Sequence, residues 1–155
     1  MFKDNLISEK QKIRLTMICL FLFAGLLSSC SQGSGSVHLK MLPASELPAQ
    51  MQNAPEIVRE SYQFALANPD ILEKVPCYCG CDAVGHQSNY ACYVSAVNDS
   101  GDVNYDEHAL GCSICVDITQ DVMRMVKEGK PIDEIQAAID QIYSKYGPSN
   151  MPADE

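Results

Sequence analysis

The chain has 155 residues, eight of them cysteine, and carries 11 basic against 20 acidic side chains for a net charge of −9. That length makes one domain. A composition 46% hydrophobic and 20% charged excludes a wholly disordered chain, a coiled coil and a multi-span membrane protein. The acidic balance argues against a nucleic-acid partner, because a phosphate backbone demands a basic face.

At the amino terminus Lys10, Lys12 and Arg14 precede an apolar run over residues 15–27. The run is shorter than the ~20 residues that cross a bilayer, and it reads as a secretory signal. It ends in Leu27-Ser28-Ser29-Cys30, which resembles a bacterial lipobox. The resemblance implies a lipoprotein signal peptide over 1–29, cleavage before Cys30, and lipid of the palmitate kind on its sulfur. The alternative is an ordinary signal with Cys30 as a spare thiol. A multi-chain anchor buries enough methylene groups to hold a soluble domain on a bilayer. Cleavage removes Lys3, Lys10, Lys12, Arg14, Asp4 and Glu9, so 7 basic and 18 acidic side chains remain and the net charge becomes −11. Such a surface is explained by solubility and repels anionic lipid.

Ser31-Gln32-Gly33-Ser34-Gly35-Ser36 is a flexible polar tether. Residues 37–54 are punctuated by proline and lack periodicity, so 30–54 reads as tether and extended arm. Pro55 suits a first helical position, with Ile57, Ser61, Phe64 and Ala65 on one face. Asn68-Pro69-Asp70 reads as a cap, with Pro69 opening a short helix through about Val75. The Asn98-Asp99-Ser100-Gly101-Asp102 cluster predicts a turn, which a short hairpin can flank. Over 112–128, Cys115, Ile118, Val122 and Met125 or Val126 recur at helical spacing before Gly129 stops the helix. Pro131 starts another, with Asp133 and Glu134 in its first turn and Ile132, Ile135, Ile139, Ile142 and Tyr146 as its apolar stripe. Gly147-Pro148 ends it, and 148–155 reads as a disordered tail. The fold class is therefore a small, mainly α domain over 55–147, organised around a Cys-rich loop and a CxxC helix start.

The chemistry lies in Pro76-Cys77-Tyr78-Cys79-Gly80-Cys81, then Gly85-His86, Cys92, His108 and Cys112-Ser113-Ile114-Cys115. A free cysteine often behaves as a small buried apolar residue, but a C-x-C-x-C row does not. Gly80 permits a sharp bend that lets Cys77, Cys79 and Cys81 converge. Cys112 and Cys115, at i and i+3 of a helix start, share a face where the dipole favours thiolate.

Three explanations compete. Exported cysteines commonly oxidise, and six permit fifteen disulfide pairings. A bridge between residues two apart is strained, whereas Cys92 with Cys112 or Cys115 remains open as a staple. A thiol oxidoreductase would use Cys112 and Cys115, but the βαβ context of that motif is missing. Metal binding is the leading reading. Thiolate-rich sites select Cu(I), Zn and iron–sulfur clusters. A structural zinc site wants four ligands in two C-x₂₋₄-C pairs, and this donor set overshoots four. Cu(I), which accepts two or three bridging sulfurs, leads; zinc follows and iron–sulfur trails.

With Gly85-His86, Ser88-Asn89, Cys92, His108 and Cys112-x-x-Cys115, the PCYCGC string resembles the bacterial PCYCGC-motif lipoprotein family over roughly 55–147. The resemblance implies export and a cysteine-rich site, with copper binding as a further implication. His86 and His108 are ligands or outer partners, or else ordinary loop and helix-start residues. His38 lies in the arm. Met41, Met51, Met123, Met125 and Met151 are scattered and form no copper-binding methionine box; Met123 and Met125 read as helix packing. Tyr78, Tyr90 and Tyr93 read as packing around the site. No nucleophile triad, phosphate loop or catalytic carboxylate pair is recognisable, so an enzyme is not expected. The expected protein is lipid-anchored through Cys30 outside the cytoplasm. It binds, buffers or delivers Cu(I) through one shared site of Cys77, Cys79, Cys81, Cys92, Cys112, Cys115, His86 and His108, and hands it to a metal-transfer partner protein. A disulfide-stapled interaction module and a thiol redox protein are the alternatives.

Overall fold

A computed structural model describes residues 38–152. The expectations for the signal peptide, for Cys30 and for the tether through residue 37 lie outside the described residues. Among the described residues six helices, three 3₁₀ turns and one hairpin follow in chain order. The helices are α1 (Ala49–Gln52), α2 (Glu56–Ala67), α3 (Pro69–Leu72), α4 (His108–Gly111), α5 (Ser113–Lys127) and α6 (Ile132–Tyr143). The hairpin of β1 (Val94–Val97) and β2 (Val103–Tyr105) is antiparallel, with Val94 opposite Tyr105 and Val97 opposite Val103. The mainly helical domain with a small hairpin is thus present. No helix among the described residues is long and apolar enough to cross a membrane.

Helix α5 is the centre, with α2 against one side and α6 against another. It buries Cys115, Ile118, Val122 and Met125, the spacing that predicted it, and Val116 and Met123 beside them. Gly129, at φ +73, ends that turn as a left-handed residue. On α2, Ser61, Tyr62, Phe64 and Ala65 are buried, but Ile57 is 47% exposed. The buried stripe centres on Tyr62, whose ring meets Tyr93 edge-on at 4.9 Å, and this rotates the first turn away from the core. On α6, Ile135, Ile139 and Tyr143 are buried, while Ile142 and Tyr146 are exposed. The expected stripe drifts at its carboxyl end because the Tyr143 hydroxyl donates to Asp121 Oδ2 at 2.8 Å, turning Tyr143 inward, and because the helix stops at Tyr143 rather than at Gly147.

Asn68 does not cap α3 with its side chain. Its Nδ2 instead donates to the carbonyls of Phe64 and Lys40, at 2.8 and 3.0 Å. The second bond helps correct the extended-arm expectation. Residues 38–54 lie on the domain: the Leu42 N–H donates to the Gln63 carbonyl, and Gln63 Nε2 donates back to the Leu42 carbonyl. A 3₁₀ turn at Ala44–Glu46 and α1 deliver Leu47 and Met51 into the core at 3% and 0% exposure. Two such burials stabilise by about 1.5–3 kcal/mol each, so the folded unit begins well before residue 55.

The disordered-tail expectation also fails for Asn150, which is buried at 6% exposure. Its polar groups pair with Cys77, Cys81 and Ser88, and these bonds hold the chain after α6 against the Cys-rich loop.

Candidate metal centre

The loop after α3 is shaped by two left-handed glycines. Gly80, at φ +79, turns the chain between Cys79 and Cys81, and Gly85, at φ +90, closes the 3₁₀ turn Cys81–Val84. An L side chain at either position is strained, which is why glycine stands there. The His86 N–H then reaches back to the Cys81 carbonyl at 3.2 Å, and the Asn89 N–H donates to the Val75 carbonyl at 2.7 Å. The result is a closed loop that sets the Cys77 and Cys79 sulfurs against Cys115 on α5 and the Cys81 sulfur against Cys92.

Cys112 caps α5 with extended backbone, and Cys115 lies on the first turn inside. The Cys115 sulfur is the hub. It lies 3.4 Å from Cys77, 3.5 Å from Cys79, 3.3 Å from Cys92 and 3.1 Å from Cys112. Cys77 and Cys79 are 3.5 Å apart, and Cys92 is 3.8 Å from Cys81. All are non-bonded separations, far beyond the ~2.05 Å of a disulfide, and all six thiols are free. His108 Nε2 joins at 3.5 Å from the Cys79 sulfur. His86 and His108 meet edge-on, with ring centroids 5.1 Å apart. Every cysteine and histidine singled out in residues 77–115 therefore converges on one place.

The donor atoms form overlapping sets, each within 4.8 Å of one another: Cys79, His108, Cys112 and Cys115; Cys81, His86, Cys92 and His108; Cys77, Cys79 and Cys81; Cys77, Cys92 and Cys115. These groups are close enough to hold a metal ion. Burial grades the cluster: Cys77, Cys81, Cys92 and Cys115 are buried, whereas Cys79 and Cys112 are half-buried at its rim.

Electrostatics inside the cluster is uneven. Hydrogen bonds from Cys115 and Cys92 draw the Cys77 thiol far below the ordinary value of 9.0. Donating to Cys77 and Cys92 pushes Cys115 up, while burial, and then the charge on Cys77, push Cys79 and Cys81 up. One thiolate is thus favoured and further ones resisted. A cation placed among the sulfurs would relieve that resistance, since a coordinating thiol is deprotonated outright.

Outer partners hold the candidate donors in place. Asn89 Nδ2 and the Tyr93 hydroxyl both donate to the Cys115 carbonyl, at 3.2 and 3.0 Å, and the Thr119 hydroxyl donates to Asn89 Oδ1 at 2.7 Å. Tyr93 and Tyr78 are buried around the site as expected, and Tyr78 donates its hydroxyl to Asp140 on α6. Gly147 lies so close to the Tyr78 carbonyl that a Cβ there would meet it at 3.1 Å.

Three contributors escape sequence reasoning: Asp106, Thr119 and Asn150. Asp106 Oδ2 lies 3.3 Å from His86 Nε2, and its Oδ1 accepts the His108 N–H at 2.8 Å. Its position two residues before His108 is the one local signal that could have found it. Thr119 and Asn150 carry no such signal.

One family model matches residues 28–153, that of the proteins of unknown function with a PCYCGC motif. No curated protein and no solved structure matches the chain.

Proposed function

The chain belongs to the PCYCGC-motif family, and from that premise we propose that it binds Cu(I) and passes it on, held outside the cytoplasm by lipid on Cys30. The observation that carries this reading is the Cys115 sulfur, with four other sulfurs 3.1–3.5 Å away and none bonded to it. Soft thiolates packed this closely around one shared sulfur favour Cu(I), which bridges through two or three sulfurs, over metals that demand a closed four-ligand shell.

The graded burial supports hand-over. Cys77, Cys92 and Cys115 are sealed from solvent, while Cys79 and Cys112 reach the surface beside His108. An incoming thiolate of a partner protein would displace a rim sulfur first, and Cu(I) would move by stepwise ligand exchange. Each step trades one copper–sulfur bond for another, and each thiol that ligates releases its proton to solvent. No bond-making on a substrate is involved, so the reading is of a binding protein and not of an enzyme.

Titration of the anaerobically purified, reduced chain with Cu(I) against a competing chromogenic chelator tests this. Native mass spectrometry should find at least one Cu(I) per chain, with six protein thiols accounted for. Six thiols lost to disulfides in protein taken directly from cells, with no copper captured after reduction, would favour a stapled interaction module instead.

A further inference from the structure

Asp106 touches both histidines of the centre. Its Oδ2 lies 3.3 Å from His86 Nε2, and its Oδ1 accepts the His108 N–H at 2.8 Å. The His86 ring is buried, and its Nδ1 is the buried side-chain polar atom without a hydrogen-bond partner among the described residues. Buried polar atoms nearly always find a partner, so an orphan of this kind needs an explanation. A histidine that ligates a metal through one nitrogen ordinarily gives its other N–H to a carboxylate. With Nε2 engaged by Asp106, Nδ1 is the nitrogen open to a metal.

The residues around the ring have the right spacing. Donor atoms of Cys81, His86, Cys92 and His108 all lie within 4.8 Å of one another. The Cys81 and Cys92 sulfurs are 3.8 Å apart, the edge of a tetrahedron with metal–sulfur bonds of about 2.3 Å. Asn150 Nδ2 donates to the Cys81 sulfur at 3.4 Å, a bond that favours the thiolate form. The donor chemistry differs from that of the neighbouring sulfurs. Two sulfurs with two imidazoles in tetrahedral order suit a borderline divalent ion such as zinc, whereas thiolates alone suit Cu(I).

We propose that Cys81, His86, Cys92 and His108 form a divalent-cation site of the zinc type, separate from the thiolate centre of Cys77, Cys79, Cys112 and Cys115, with Asp106 fixing the His86 ring. The proposal rests on the metal-binding reading of the cluster and does not need its copper. Binding one divalent ion releases two protons, from Cys81 and Cys92. Two thiolates and two neutral imidazoles then leave the site without net charge, which suits its burial. Cys92, 3.3 Å from Cys115, and His108, with Nε2 3.5 Å from the Cys79 sulfur, stand at the boundary of the two compartments.

Co(II) serves as the probe on the reduced full chain, since its absorption distinguishes tetrahedral sulfur–nitrogen ligation. One Co(II) per chain should bind with intense ligand-field and thiolate charge-transfer bands, and one equivalent of Zn(II) should displace it. His86→Ala should weaken Co(II) binding by more than about 100-fold, and Asp106→Asn by about 10–100-fold, as for lost outer partners. Long-range ¹H–¹⁵N NMR of the unsubstituted chain removes any dependence on variant folding: Zn(II) should shift His86 Nδ1 and leave Nε2 protonated. Failure to bind Co(II), Co(II) binding indifferent to His86→Ala, or a His86 ring whose Nδ1 does not respond to Zn(II) would each overturn the proposal. Loss of Cu(I) binding alone would overturn the copper reading and leave the divalent site standing.

Discussion

Asn150 grips Cys77 from both sides of its peptide. Asn150 Oδ1 accepts the Cys77 N–H at 2.7 Å, while the Asn150 N–H donates to the Cys77 carbonyl at 3.0 Å. Its Nδ2 also donates to the Ser88 carbonyl at 3.1 Å. A residue near the carboxyl terminus therefore sets the first cysteine of the loop, and the shape of the site depends on the chain returning after α6.

Replacing that side chain should loosen the loop. Asn150→Ala leaves the buried Cys77 N–H and the Ser88 carbonyl short of partners, at a cost of about 1–3 kcal/mol. Urea denaturation under reducing conditions measures it. Ending the chain after Gly147 should cost at least as much, and a truncated chain as stable as the intact one would remove Asn150 from the account.

The hub position of Cys115 separates it from the rim. Cys115→Ser should cut Cu(I) stoichiometry more than Cys112→Ser does, because Cys115 is buried with four other sulfurs within 3.5 Å while Cys112 stands at the rim. Cys79→Ser and Cys115→Ser should each lower both bound metal and the Tm of the loaded protein, with the double variant losing well short of the sum, since both act on one cage. Metal analysis beside thermal melts decides it. Additive losses, or a Cys115 variant with its full complement, would mean two independent thiolate centres.

Alkaline pH should destabilise the fold partly through Tyr143. Burial first, then its hydrogen bond to Asp121, raises its hydroxyl above the ordinary value of 10.0. A raised folded-state value keeps Tyr143 neutral in the fold while the unfolded chain ionises. Its contribution is therefore whole below pH 10 and is lost as the pH rises further. In the reduced, metal-free protein, Tyr143→Phe should flatten the fall in stability between about pH 9 and 11 by up to one proton per molecule. Denaturation midpoints at several pH values give the two slopes; identical slopes would show that Tyr143 does not contribute.

Anchoring has its own test. Cys30→Ala should release the protein from the membrane fraction, and unchanged fractionation of that variant would refute lipid attachment at this residue.

Much of the architecture was legible because it depends on neighbours in the chain. Periodic apolar residues mark α5, and the prolines at 55, 69 and 131 mark the starts of α2, α3 and α6 within a residue, since fixed φ and helical spacing act over a few positions. Turn chemistry likewise predicts the hairpin: Asn98 Oδ1 accepts the N–H groups of Ser100 and Asp102, and Gly101 takes φ +88. The cysteines and histidines of the candidate metal centre could be singled out for the same reason, because residue type and short spacing already restrict what six cysteines can do.

Tertiary structure alone decided the rest. Which sulfur is the hub could not be read, since Cys77 and Cys115 stand 38 positions apart and meet only when the loop closes on α5. The roles of Asp106 and Asn150 were hidden because a lone polar residue looks the same whether it is solvated or aimed into a core. Residues 38–54 and Asn150 lacked any periodic signal because they are held not by a repeating apolar face but by two isolated core side chains, Leu47 and Met51, and by single bonds to α2 and to the Cys-rich loop. Local preference acts between chain neighbours and is written in the sequence, whereas a contact between distant segments exists only once burial has brought them together.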